Sequence, residues 1–163
     1  MTEAEPLQLA HIGERPLDPQ KITLIEYDED QAIRVTLAEA DIDKLPDSRA
    51  VRWLNIDGTP SEQTLLALGL RFNLHPLMIE DIASRTQRSK IEEYDDSIFI
   101  VMHMLSVDEK KRHPIASEQI SIVLGRDFVL TFQQREGDVF DDVRARIKNA
   151  TGRIRRQKAD YLA

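Results

Sequence analysis

The sequence predicts a single α/β (α+β) domain built on one mixed β-sheet. Strand-like and helix-like segments alternate along the 163 residues, which favours a layered architecture. At least two pairs of short strands are separated by only a few polar residues, so part of the sheet must be antiparallel. Residues 98–105 form the longest apolar run, with seven of eight positions apolar. Such a run is typical of an inner strand that is covered on both faces.

The N-terminal third of the chain predicts an arm followed by a hairpin and a third strand. Residues 1–20 contain three prolines and show no periodicity, so we predict a loosely ordered arm before a domain that spans residues 21–158. Residues 22–27 and 33–37 read as two strands around a polar turn, at or near a sheet edge. Residues 51–56 read as a further strand.

Two helices are predicted after this strand. Thr59 is the expected N-cap of the first, with Pro60 at the first helical position and Glu62 completing a capping box. Pro76 opens the second helix, where His75 contributes to the cap. The buried side of the first helix is expected to consist of Leu65, Leu66, Leu68, Gly69 and Phe72.

The middle of the chain predicts two strand pairs separated by a solvated loop. Residues 90–94 and 98–107 read as strands, with Asp95 and Asp96 marking a bend or bulge between them. After the loop at residues 108–114 comes the clearest hairpin, residues 118–133, in which Gly125 is expected to supply a positive φ.

The C-terminal segment predicts a helix and the start of another. Asp138 is the expected cap of the first, and Arg144 is expected on its solvent side. Thr151 and Gly152 form the predicted stop. Residues 159–163 are expected to begin a further helix.

Composition restricts the function. The chain has no cysteine, which excludes disulfides and thiolate metal sites, and its net charge of -7 disfavours nucleic acid as a partner. No apolar run approaches the ~18 residues that a membrane helix needs, so we expect this chain to be soluble. We find no nucleophile constellation and predict no enzyme: no catalytic and no cofactor-binding residues. A metal-dependent hydrolase would need three or more converging ligands, which the sequence does not show.

Glu80 and Asp81 are the candidate metal ligands. They lie in the second half of a short helix, where the helix dipole disfavours negative charge and a nearby cation would relieve it. Carboxylate oxygens suit Mg²⁺ or Ca²⁺, but neighbouring residues on a helix do not face each other and cannot chelate one ion as a pair. A solvated helix face is the alternative. His103 is expected to be a hydrogen-bonded core residue.

The densest acidic group follows soon after this helix. A solvated strand end and turn is the favoured interpretation of these acids, namely Glu92, Glu93, Asp95 and Asp96.

Several sequence blocks resemble one family. HPLMIEDI, TQRSKIEEYDDSIFIV, SEQISIVLGRDFVLTF, GDVFDDVRARI and ADYL occur in order and with matching spacing. They resemble the cytoplasmic N-terminal domain of the CorA family of Mg²⁺/divalent-metal transporters. One departure is Ser89, where the family usually has proline.

The resemblance implies a mixed β-sheet sandwiched between helical layers, in a regulatory, metal-sensing domain on the cytoplasmic side of the cell inner membrane. It implies a homopentamer whose membrane contact comes only through helices beyond position 163, with residues 159–163 leading towards their stalk. Asp81, with Glu80, would bind regulatory Mg²⁺, or alternatively Co²⁺ or Zn²⁺, together with an acid on a neighbouring subunit. The isolated chain should therefore be monomeric or weakly self-associating and should bind Mg²⁺ weakly. The alternatives are the zinc-transporting branch of the family and a freestanding interaction module.

Overall fold

The computed structural model describes residues 19–84, 86–107 and 115–163. Most of the predicted N-terminal arm and the predicted loop at 108–114 lie outside the described residues.

The described residues form one seven-stranded sheet in the order β2-β1-β3-β7-β6-β5-β4. Its strands are β1 (Lys21–Tyr27), β2 (Ala32–Leu37), β3 (Val51–Asp57), β4 (Lys90–Tyr94), β5 (Ser97–Val107), β6 (Ile115–Gly125) and β7 (Phe128–Gln133). Only β3 and β7 pair in parallel, and every other neighbouring pair is antiparallel. The prediction of a mixed sheet is confirmed.

Helices cover both faces of this sheet. They are α1 (Glu62–Phe72), α2 (Pro76–Ala83), α3 (Asp141–Lys148) and α4 (Ala159–Leu162), with short 3-10 helices at Glu39–Asp41 and Ile154–Arg156. Alternate residues of β3 point to opposite faces: Leu54 packs in a core with α1 and α2, whereas Trp53 packs in a second core with α3 and α4. The sheet is therefore the middle layer of three.

Strand β5 lies inside the sheet as predicted, between β6 and β4, but it is not covered along its whole length. Phe99 and Val101 are buried, whereas Met102 is 42% exposed and Leu105 69% exposed. The reason is the length of β4, whose Lys90 pairs with Val101 and ends the ladder on that side. Beyond this point, β6 is the strand that pairs with β5 among the described residues.

His103 lies in this uncovered part of β5. Its side chain is exposed, and its Nδ1 lies 3.1 Å from the hydroxyl of Ser89. The expectation of a core histidine is therefore wrong. Among the described residues, β4 ends its pairing at Val101, and the His103 side chain is exposed.

Two turns differ from their predictions. Asp95 and Asp96 form a full two-residue turn, because Tyr94 pairs directly with Ser97. Gly125 does not have a positive φ. A Cβ at this position would instead lie 2.2 Å from the ring of Phe128, so glycine is needed there for close approach of the aromatic side chain.

The start of α1 also differs. Its N-cap is Ser61 rather than Thr59, and the Ser61 hydroxyl accepts from the Thr64 N–H at 3.0 Å. The carboxylate of Glu39 in turn accepts hydrogen bonds from the hydroxyls of Ser61 and Thr64. This distant acid makes Ser61 the favoured cap. Leu66, predicted to be buried, is exposed.

Helix α2 begins as predicted. Pro76 is its first residue, and the His75 ring accepts from the Leu77 N–H at 3.2 Å. Helix α3 begins later than predicted, with Phe140 as N-cap, while Asp138 accepts from the Phe140 N–H at 2.8 Å.

At its other end α3 stops at Lys148, before the predicted stop at Thr151 and Gly152. Arg144 is not on the solvent side of α3, because its side chain forms an ion pair with Asp138 and is only 11% exposed.

Candidate metal centre

The last turn of α2 carries both predicted ligands. Asp81 is half-buried and Glu80 is exposed, since consecutive helical residues point roughly 100° apart. Met78 and Ile82 are the buried residues of α2, and they hold the helix on the sheet. The helix therefore presents one of its two acids to a neighbouring element and the other to solvent.

Strand β4 supplies the partners of Asp81. Lys90 and Glu92 lie two residues apart on a strand and share one face. The Lys90 ammonium lies 2.6 Å from Asp81 Oδ2 and 3.0 Å from Glu92 Oε1. Two carboxylates from different elements thus converge on a single cation. We call Asp81, Lys90 and Glu92 the rim cluster.

The rim cluster is partly open to water. The side chains of Asp81, Lys90 and Glu92 are 18%, 27% and 40% exposed. Hydrogen bonds to Asp81 and Glu92 raise the pKa of Lys90, which stays an ammonium at neutral pH. The hydrogen bond from Lys90 lowers the pKa of Glu92, and the Tyr94 hydroxyl donates a second bond to it at 3.2 Å.

The structure distinguishes among the acids considered in the sequence. Glu93, Asp95 and Asp96 are exposed around the β4–β5 turn, as expected for a solvated turn. Glu92 is different, because it shares a cation with Asp81. Because Lys90 and Glu92 are two residues apart on a predicted strand, the sequence already places them on one face. This spacing was the signal that could have set Glu92 apart from the other acids.

The donor set of the rim cluster fits a hard cation in part. Its oxygens are of the kind that Mg²⁺ prefers, and Mg²⁺ often binds through only one or two carboxylates. Among residues 19–84, 86–107 and 115–163, no group of three or more histidine or acidic side chains is close enough to hold an ion. A complete coordination shell would therefore need water or ligands from elsewhere.

A second charged cluster lies on the opposite face of the sheet. The Arg144 guanidinium pairs with both carboxylate oxygens of Asp138 and lies 5.0 Å from the ring centroid of Trp53. The Gln133 amide donates to Asp138 at 3.1 Å and to Asn55 at 2.9 Å. We call Asp138, Arg144, Gln133 and Asn55 the buried cluster. Its carboxylate and guanidinium are paired with each other and are only 3% and 11% exposed, so a cation from solvent has little access and the buried cluster is not a candidate site.

A surface depression of about 880 Å³ is bordered by the α1–α2 connection and the β4–β5 turn. Arg71 lines it, but its guanidinium is bonded to the carbonyls of Leu45 and Pro46 and to Asp47. The depression has mixed charge and does not concentrate a single chemistry.

The fold is an α/β/α domain, and its rim cluster brings two carboxylates to one lysine at the surface. Residues 48–162 match the model of a family described as CorA-like Mg²⁺ transporter protein. This match covers most of the chain, and the chain belongs to that family. Within the described residues, no helix is long and apolar enough to cross a membrane.

Individual relatives agree with this assignment. The chain is 43% identical over 116 residues to a protein named cobalt/magnesium transport protein CorA from Thermotoga maritima; the alignment covers 71% of this chain but only 33% of that protein. The chain thus spans about a third of the relative's length. The family and this relative are named for transport rather than for catalysis, which agrees with the prediction of no enzyme.

Two solved structures share the fold. One is the full-length CmaX protein, with a TM-score of 0.64, 12% identity and coverage of 87% of this chain and 42% of that one. The other is the cytoplasmic domain of ZntB from Vibrio parahaemolyticus, with a TM-score of 0.55, 9% identity and coverage of 77% and 49%.

Proposed function

We propose that this chain is the cytoplasmic regulatory domain of a CorA-type transporter of Mg²⁺ or another divalent cation, and that it senses the metal through Asp81. Membership of the CorA-like family supports the transporter assignment. The observation that carries the sensing role is the convergence of Asp81 and Glu92 on one cation at the domain surface. Glu80, on an adjacent side of α2, adds negative charge to the approach but does not share the Lys90 cation.

Asp81 supplies half of the proposed site. A metal held by a single carboxylate binds weakly, so we propose that the remaining acid comes from a neighbouring subunit of a homopentamer. A cation bound between two subunits would favour the state in which they lie close together, which is a population shift driven by differential affinity. The pore would be closed in that state, and loss of the metal would loosen the assembly.

The boundaries of the domain are part of the proposal. Residues 21–158 would form the regulatory domain on the cytoplasmic side of the inner membrane. Residues 159–163 would begin the helix that leads towards the stalk and the membrane.

The proposal is tested by Asp81→Asn in the full-length protein. Mg²⁺ should protect the wild-type protein against proteolysis, and the variant should need a several-fold higher Mg²⁺ concentration for equal protection, because one charged ligand is lost. Asp96→Asn, which removes an equal charge at the exposed β4–β5 turn, is the control and should behave like the wild type. Unchanged protection in Asp81→Asn would remove Asp81 from the mechanism.

The zinc-transporting branch of the family is the second candidate, favoured by the likeness to the ZntB cytoplasmic domain. Zinc prefers nitrogen and sulfur ligands, whereas this chain has no cysteine and its rim cluster offers carboxylate oxygens. We therefore favour Mg²⁺. Parallel titrations with Mg²⁺ and Zn²⁺ decide between the two, and tighter Zn²⁺ binding that depends on Asp81 would support the zinc branch.

A further inference from the structure

We infer that Lys90 is a built-in competitor for the divalent cation at Asp81. Its ammonium holds Asp81 and Glu92 together without metal, and a metal ion has to displace it in order to bind. This inference rests on the proposed function and concerns the regulation of the same site.

The positions of the three groups carry the inference. The ammonium lies 2.6 Å from Asp81 Oδ2 and 3.0 Å from Glu92 Oε1, so it stands between the two carboxylates where a shared cation would stand. A divalent ion held by Asp81 would lie within a few ångströms of this ammonium. Like charges at that distance repel, so the Lys90 ammonium and the divalent ion each weaken the binding of the other to the two carboxylates.

Lys90 is a displaceable cation rather than a fixed one. A lysine ammonium is a compact charge on a flexible stem, unlike the planar fork of arginine. The Lys90 side chain is 27% exposed, so its ammonium can exchange its carboxylate partners for water. Displacement therefore leaves a hydrated charge at the surface instead of an unpaired charge in the core.

The competitor has a use in a sensor. Without a cation, Asp81 would face Glu92 and the negative end of α2, and these charges repel. Lys90 relieves that repulsion when metal is scarce. It also reduces the affinity for metal, so that occupancy of Asp81 responds in a higher range of cation concentration.

Lys90 could instead assist metal binding by holding the two carboxylates in position. The two roles predict opposite changes in metal affinity when Lys90 is replaced. Removing a competitor tightens metal binding, whereas removing a positioning group weakens it.

The test is a titration of this 163-residue chain followed by NMR, with Mg²⁺ shifts and Mn²⁺ paramagnetic broadening as readouts. Lys90→Met keeps the apolar stem and removes the charge. We expect it to tighten Mg²⁺ binding by roughly tenfold, from the repulsion that a unit charge exerts on a nearby divalent ion. Arg88→Met removes an equal charge two residues away on an exposed side chain and should change the affinity by less than about twofold.

Asp81→Asn separates failure of this inference from failure of the proposed function. If Asp81→Asn abolishes the Mn²⁺ broadening around α2 while Lys90→Met leaves the affinity unchanged or weaker, competition is wrong and the Asp81 site stands. If Asp81→Asn changes nothing, the site is wrong and the inference falls with it. Lys90→Gln, with the amide spectrum of each variant as a check on folding, repeats the measurement with a polar replacement.

Discussion

The rim cluster and the buried cluster each pair an acid with a basic side chain, but they differ in exposure and in the shape of the cation. Asp138 and Arg144 are 3% and 11% exposed, and both carboxylate oxygens are engaged. Asp81 and Lys90 are 18% and 27% exposed, and Lys90 binds one oxygen of each of two acids.

This difference indicates which cluster can respond to a ligand. Arginine binds a carboxylate through two parallel bonds, and removing either partner from a buried pair leaves an uncompensated charge. Lysine is a point charge near water, which another point charge can replace. We therefore assign the buried cluster to stability, and cation binding by the rim cluster is our proposal.

The largest expected effect is the loss of Arg144. We expect Arg144→Met to lower the free energy of unfolding by about 3–5 kcal/mol, because Asp138 stays buried without its partner. Arg156→Met is the matched control, since the Arg156 and Glu29 side chains are 71% and 68% exposed. It should change the free energy of unfolding by less than about 0.5 kcal/mol. Urea denaturation measures both, and equal losses would contradict the assignment of the buried cluster to stability.

The next effect is the pH dependence of folding stability, to which Asp138 and Asp57 contribute with opposite signs. Burial alone would raise the pKa of Asp138, but hydrogen bonds from Arg144 and Gln133 outweigh it and lower that pKa below 3.8. Asp138 therefore stabilises the fold above about pH 4, and this contribution is lost as the pH falls through the lowered pKa. Burial raises the pKa of Asp57 above 3.8, so its ionisation penalises the folded state as the pH rises through that raised pKa.

Asp138→Asn should consequently destabilise the protein at pH 7, with a cost that shrinks as the pH falls below 3.8, whereas Asp57→Asn should stabilise it at pH 7 and have little effect near pH 3. Thermal unfolding of both variants from pH 3 to pH 7 measures the two slopes. Slopes of the same sign would contradict the two pKa directions.

The smallest expected effect on stability is that of Lys90. Lys90→Met should change the free energy of unfolding by no more than about 1 kcal/mol, because a partly exposed ion pair contributes little. The difference in the free energy of unfolding between the variant and the wild type should become smaller still as the salt concentration is raised. A loss as large as that of Arg144→Met would make Lys90 a structural residue and remove the contrast between the two clusters.

Local patterns predicted much of the architecture. The mixed sheet and the inner position of β5 follow from strand periodicity and from short polar connections between strands. The start of α2 also follows from local chemistry, because Pro76 and His75 are adjacent and form the cap between them. Asp81 was a candidate from its place in the helix and from the family resemblance, although metal binding there is still a prediction.

Features that depend on distant partners were missed. The cap at Ser61 depends on Glu39, which is 22 residues away in the sequence. The burial of Arg144 depends on the ring of Trp53 in β3, which is far away in the sequence, as well as on its ion pair with the nearby Asp138. Periodicity alone assigns a charged residue to the solvent, because it carries no information about which partner the fold brings to it.

The order and type of the elements and the acidic end of α2 follow from local sequence, since hydrogen bonding and side-chain period act over a few residues. Which charges meet depends instead on how distant segments pack against each other. Helix α2 and strand β4 had to be brought close together before Lys90 could lie between Asp81 and Glu92. Covering the two faces of β3 buried the Asp138–Arg144 pair and left the Asp81–Lys90 pair at the rim. The strength of each ion pair follows from this, because it depends on how much water the whole fold excludes from the pair.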